Sequence, residues 1–514
     1  MNLNALLLIF LTSLLGFLVL SPAANSSSQT IPDWHESVDP WVLDAAIAAN
    51  EAEFIIFLSE QADLNEAKQL TNKVDKGTFV FEKLTAIASS TQPPIIAELD
   101  KLGADYRPFW VANMIWVQGN SDVLEAMAKR SDISHIYANP SISQNLPLPH
   151  GLSRQPFTEP LIPWNIDLVG APKVWSVGYD GQGAVVGGQD TGYEWSHPAL
   201  AKAYRGYDPN GIDHNYNWHD AIHSGSVNCV PDSQVPCDGH GHGTHTMGTM
   251  VGDDGIGNQI GMAPGAKWIG CRNMNDQGVG TPVTYSECYQ WFIAPTDLAG
   301  NNPDPAKAPD VINNSWSCPV SEGCTDPTIL QTVVENVRAA GILSVHSAGN
   351  SGPNCETINT PAAIYDASFS VGATTSQDVI WLGSSRGPIS IDGSNRPKPD
   401  VTAPGQTVYS SIPGENYTYF TGTSMAGPHV AGLAALLISA QPSLAGDVDS
   451  IEMTISQSAI PKTIDQTCGG VPGSEVPNNT YGYGRIDAFS ALKLVLELEP
   501  KIFYPFVSAS AGGP

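Results

Sequence analysis

Gly183-Ala184-Val185-Val186-Gly187-Gly188-Gln189-Asp190-Thr191-Gly192 is the stretch on which the fold turns. Its first six residues are small or β-branched and uniformly apolar, which predicts a short strand buried on both faces. An aspartate and a glycine turn follow at the carboxyl end. Three further runs read the same way: 310–313, 341–345 and 369–372. Helical stretches fall between them, as in 327–340 and 429–440. Short buried strands alternating with helices predict an α/β fold, a doubly wound and mostly parallel sheet covered on both faces. In such a sheet the functional site lies outside the carboxyl ends of the strands, where Asp190 falls.

The composition changes upstream of this region. Residues 145–163 hold five prolines and little periodicity, and read as an exposed connection. Before it, 53–142 reads as a small α/β sandwich. Its strand-like runs are 54–58, 109–116 and 133–137, and its helices are 64–74, 94–102 and one opening at Ser121. Residues 25–50 read as a linker. Residues 6–20 are almost wholly apolar and are followed by Ser21-Pro22-Ala23-Ala24, a signal-peptide pattern with a cut after Ala23. No Lys or Arg precedes that run, so an uncleaved anchor is the competing reading. The expected organisation is 1–24 signal peptide, 25–145 linker and N-terminal unit, 160–495 main domain and 496–514 tail. The expected location is extracellular, with no stable membrane association.

Lys and Arg number 23 against 51 Asp and Glu, a formal charge of −28. Such a surface repels phosphate backbones and argues against nucleic-acid partners. All eight cysteines lie at or beyond position 229, and an even number behind an export signal predicts disulfides. No CxxC pair points to a zinc ribbon. Short loops favour Cys229–Cys237, Cys271–Cys288 and Cys318–Cys324, leaving Cys355–Cys468.

Three motifs carry chemistry. Asp190-Thr191-Gly192 is weak alone; aspartic proteases use the same tripeptide twice, and no second copy exists here. His240-Gly241-His242-Gly243-Thr244-His245 brings histidines together, and His219 and His223 have i, i+4 spacing. No glutamate lies between that pair, so a general base suits the cluster better than a metal. Gly422-Thr423-Ser424-Met425-Ala426-Gly427-Pro428-His429 places a serine where an apolar helix begins, with N–H donors and a favourable dipole beside its oxygen.

Asp, His and Ser in that chain order resemble the subtilisin-like serine proteases. The resemblance covers about 164–492 and includes Ser347-Ala348-Gly349-Asn350-Ser351-Gly352. It implies a subtilisin-like fold and hydrolysis of protein or peptide substrates, with no cofactor required for catalysis. It implies that Ser424 is the nucleophile, His242 the base, Asp190 the residue orienting the imidazole and Asn350 the oxyanion donor. It further implies that the N-terminal unit is a propeptide inhibiting its own enzyme until removed. His240, His245 and His429 are then structural or pocket-lining. Substrate is expected along Ser315, Trp316 and Ser317, where many relatives carry glycines after the serine. Many relatives also place a calcium-binding aspartate after the His-Pro that follows the catalytic Asp. Here Ala199 follows His197-Pro198, which leaves Asp253 and Asp254 as candidate oxygen ligands for a structural calcium.

Overall fold

The computed structural model describes residues 33–49, 51–147, 150–153 and 162–497. Residues 1–24, expected to be a signal peptide, lie outside the described residues, as do 498–514 of the expected tail, whose first two residues instead end the helix Ala488–Glu497. Val185–Asp190 is the first strand of a seven-stranded sheet, all of whose pairings are parallel. The spatial order is Trp218–Asp220, Lys267–Arg272, Val185–Asp190, Val311–Asn314, Leu343–Ser347, Phe369–Thr374 and Val401–Pro404. Strand order reverses beside Val185–Asp190, so the crevice expected of such sheets opens at Asp190. The glycines in this strand have a packing reason. A Cβ at Gly187 would meet the Phe292 ring at 2.9 Å, and one at Gly188 would meet the Tyr193 hydroxyl at 2.4 Å.

The helix Thr423–Ala440 runs beneath the sheet and is enclosed on every side, its residues from Thr423 to Ile438 all buried. That explains an apolar stretch of membrane-span length in the middle of a core. It starts six residues earlier than the sequence pattern of 429–440 suggests, because Pro428 is accommodated inside it. On the opposite face lie Pro282–Ile293 and Gln331–Ala339, the latter shorter than the expected 327–340.

The N-terminal unit is a four-stranded antiparallel sheet ordered Asp105–Phe109, Met114–Gly119, Ala52–Leu58 and Ile133–Ala138. Phe54 and Ile56 pack against Ile95 and Leu99 of one helix and Val123, Leu124 and Met127 of another. Ile55 and Phe57, on the opposite face, belong to one cluster with Tyr285, Tyr289 and Val333 of the main domain. A strand with no polar alternation thus has both faces covered, the second by the other domain.

Several local expectations are corrected. The run 109–116 is a hairpin turning at Asn113, whose φ is 42°. The helix placed at 64–74 is a short 3-10 turn, Asn65–Gln69, followed by Lys73–Thr91. The Asn72 side chain caps Val74 and Asp75 N–H and forces the break. The supposed linker contains the helix Pro40–Ala49, whose Val42 and Ala46 join the core of the small unit. Within the proline-rich connection, His150–Ser153 pairs with Asn416–Phe420. All four anticipated disulfides form, with Cα separations of 5.4–5.7 Å, and no cysteine is free among the described residues.

Candidate active site

Asp190 closes its strand with both oxygens occupied. Oδ1 accepts from Thr191 N–H at 2.7 Å and from His242 Nδ1 at 2.7 Å, and Oδ2 accepts from the Thr246 hydroxyl at 3.4 Å. Asp190 and His242 are fully buried. A carboxylate facing Nδ1 places the proton there and leaves Nε2 as the basic nitrogen. Nε2 has no hydrogen-bond partner. His242 opens the helix His242–Val251, held in place by Asp238, a residue with no motif to mark it. Its carboxylate accepts from the Thr191 hydroxyl, from His240, Gly241 and Thr244 N–H, and from the Thr244 hydroxyl.

Ser424 lies in the first turn of Thr423–Ala440, a helix packed against the one carrying His242. Hydrogen bonding joins Asp190 to His242 but not His242 to Ser424 in this structure. Asn350 follows the strand Leu343–Ser347 and is exposed. Its Oδ1 is committed, accepting from the Thr423 N–H and hydroxyl, both at 2.9 Å, which leaves Nδ2 as its donor. A Cβ at Gly422 would come within 3.4 Å of that nitrogen, so glycine keeps the approach open. Ser315 has a role the sequence does not announce. Pro428 lacks the N–H that would bond the Ser424 carbonyl four residues earlier. The Ser315 hydroxyl supplies the missing donor at 3.0 Å.

Beside these residues runs a groove containing part of the chain itself. Ile142 and Ser143 pair antiparallel with Gly280 and Val279, and Gln144 N–H donates to Gly278 carbonyl at 3.0 Å. Gln144 also bonds Ser317 on the facing segment. Of the three residues expected to meet substrate, Ser317 touches this segment. Ser315 is buried, and Trp316 is stacked on Tyr285 with ring centroids 4.0 Å apart. The edge at Val279 and Gly280 escapes sequence reading because two residues carry no strand pattern.

A family model described as the subtilase family matches residues 181–484, more than half of the chain. The chain belongs to the subtilase family. Bacillopeptidase F of Bacillus subtilis (strain 168) is 34% identical over 512 residues, which cover 93% of this chain and 34% of that protein. The chain therefore spans about a third of that relative's length. Met262-Ala263-Pro264-Gly265-Ala266-Lys267-Trp268 and Asn313-Asn314-Ser315-Trp316 are stretches that resemble it. Subtilisin DY of Bacillus licheniformis is 34% identical over 285 residues, 55% of this chain and 86% of that protein. Subtilisin E of Bacillus subtilis (strain 168) is 32% identical over 284 residues, 55% of this chain and 62% of that protein.

Within this subtilase the Asp254 carboxylate of the loop proposed for calcium is bonded by donors of the chain itself. Asp254 Oδ1 accepts three N–H groups, from Ile256, Gly257 and Asn258, at 2.9–3.0 Å. Its Oδ2 accepts from the Asn258 amide and the Tyr417 hydroxyl. Those donors occupy the Asp254 lone pairs, while the buried Asn258 Oδ1 has no hydrogen-bond partner.

His245 and His429 have structural partners, while the buried Nδ1 of His240 has no hydrogen-bond partner. Burial pushes His245 down to about 3 and His429 down to about 4, and they bond the Val408 and Met425 carbonyls. His219 and His223 converge instead on Glu287, at 2.8 and 3.0 Å, together with Arg107 of the N-terminal unit at 2.6 Å. Burial alone would raise the Glu287 carboxyl; bonds from His219 and His223, and then the charges of His219 and Arg107, hold it down to about 2.

Proposed function

We propose that this subtilase is a secreted serine endopeptidase acting on proteins or peptides and made with its own inhibitor. The observation that carries the reading is the buried Asp190–His242 hydrogen bond, with Nε2 left unpaired, beside a helix whose first turn holds Ser424. His242 Nε2 takes the Ser424 hydroxyl proton as Oγ bonds to the substrate carbonyl carbon. Negative charge moves to the carbonyl oxygen, where Asn350 Nδ2 and the Ser424 N–H donate to it. The tetrahedral adduct collapses with cleavage of the C–N bond, and His242 returns the proton to the leaving amine. Water then repeats the sequence on the acyl-enzyme. Asp190 orients the imidazole and stabilises its cationic form.

Residues 53–145 are the proposed propeptide. Support comes from a unit that lays Ile142, Ser143 and Gln144 along the groove edge, as an extended substrate would lie. Secretion is supported by the apolar segment 6–20 and by four disulfides. Ser424→Ala is expected to keep its melting temperature and lose peptidase activity by roughly a millionfold, a scale carried over from subtilisin. Labelling by a serine-directed phosphonofluoridate should vanish with it. Wild-type turnover in the variant would rule the assignment out.

A further inference from the structure

Gln144 meets Ser317 as one peptide group meets another. Its Nε2 donates to the Ser317 carbonyl at 2.7 Å, and its Oε1 accepts from the Ser317 N–H at 3.1 Å and hydroxyl at 2.8 Å. The second Nε2 hydrogen reaches the Tyr285 hydroxyl at 3.4 Å. The primary amide is thus matched donor for donor and acceptor for acceptor. Two residues earlier, Ile142 is fully buried in one cluster with Cys318 and Cys324, whose disulfide forms a wall directly after Ser317. Between them, the Ser143 N–H donates to the Glu322 carboxylate at 2.7 Å.

We infer that this groove selects extended peptides with a branched aliphatic residue followed, two positions later, by glutamine, and that Ser317 is the residue that reads the glutamine. The inference rests on the peptidase reading above and names its substrate class. A glutamate in the same place sets a carboxylate oxygen against the Ser317 carbonyl and loses the donor. A methionine of similar length leaves the Ser317 N–H and C=O unpaired on burial, and sites built to hydrogen-bond a substrate discriminate strongly against analogues that cannot respond. Glycine at 317 would keep the two backbone contacts but have no hydroxyl.

Internally quenched peptides carrying Ile-Ser-X-Asn-Leu, with X as Gln, Met or Glu, test this on enzyme matured from the full chain. The expected kcat/KM is about tenfold higher for Gln than for Met, with Glu lower still. In Ser317→Ala, where the backbone contacts persist, the Gln-to-Met ratio should fall about threefold. Equal rates for Gln and Met would overturn the inference, and an unmoved ratio in Ser317→Ala would overturn the part given to the hydroxyl. If no peptide were cut, the peptidase reading itself would fail. Added thermolysin acting on the full chain carrying Ser424→Ala then decides the pairing alone. There Gln144→Glu should speed cleavage at 141–147 about fivefold or more, and an unchanged rate would overturn the match.

Discussion

At the scale of single residues, two side chains beside Ser424 do different work. Asn350 is fixed through Oδ1, so its Nδ2 can be aimed without a search. A preorganised donor that acts on developing charge stabilises the transition state more than bound substrate. Asn350→Ala is expected to lower kcat about a hundred- to a thousandfold, ~3–4 kcal/mol, with KM nearly unchanged. Steady-state kinetics with a melting curve separates this from a turn residue, whose loss would lower Tm and spare kcat. Ser315 is a positioning residue. Ser315→Ala leaves the Ser424 carbonyl without a donor in a buried helix, a loss of about 1–3 kcal/mol. Ser315→Thr should restore the bond and the stability, measured by chemical denaturation. The need for Ser315 was hidden from sequence reading, since nothing along the chain links a serine at 315 to a proline at 428.

At the scale of elements, the contact between the N-terminal unit and the helix Pro282–Ile293 depends on a buried carboxylate. Glu287 is shared by Arg107, His219 and His223, and the Arg107 guanidinium also lies 5.2 Å from the centre of the Phe109 ring. Arg107→Ala is expected to weaken the hold of the unit by about 1–2 kcal/mol. In the Ser424→Ala full chain that is a roughly five- to thirtyfold faster removal of the unit by an added protease. An unchanged rate would mean the two histidines satisfy Glu287 alone. Element types were legible where pattern and length agreed, as at Phe54, Ile56 and Leu58 or in the strand ending at Asp190. They were misread where one capping side chain, Asn72, or one tight turn, Asn113, divided a continuous pattern.

At the scale of the whole molecule, burial sets the response to acid. It pushes His197 and His429 down to about 4 and His245 and His346 down to about 3, against an ordinary 6.5. Below pH 6.5 the unfolded chain binds protons that the folded chain refuses. Stability is therefore complete above that pH and is lost as pH falls from about 6.5 to about 3, at up to ~1.4 kcal/mol per pH unit for each histidine. His223 acts in the opposite sense. Its hydrogen bond to the Glu287 carboxylate is the largest cause that raises it, to about 9, so its contribution is full below pH 6.5 and fades as pH climbs to 9. Calorimetry of the Ser424→Ala protein should find maximal Tm near pH 6.5 and the steeper fall on the acid side. A Tm constant between pH 6.5 and 4 would refute the neutral buried state of these histidines.

The sequence by itself determined the parallel α/β class, the order of Asp190, His242 and Ser424 and the pairing of eight cysteines. Each depends on local pattern, motif order or short loop closure, with Cys355–Cys468 left as the remaining pair, all written along one chain. Only the tertiary structure decided that Asp238 braces the His242 loop, that Ser315 completes the helix of Ser424 and that Gln144 meets Ser317. Those contacts join residues 6 to 173 positions apart. Their partners are ordinary Asp, Ser and Gln residues, and only the packing of strand ends and helix starts at one sheet edge brings them together.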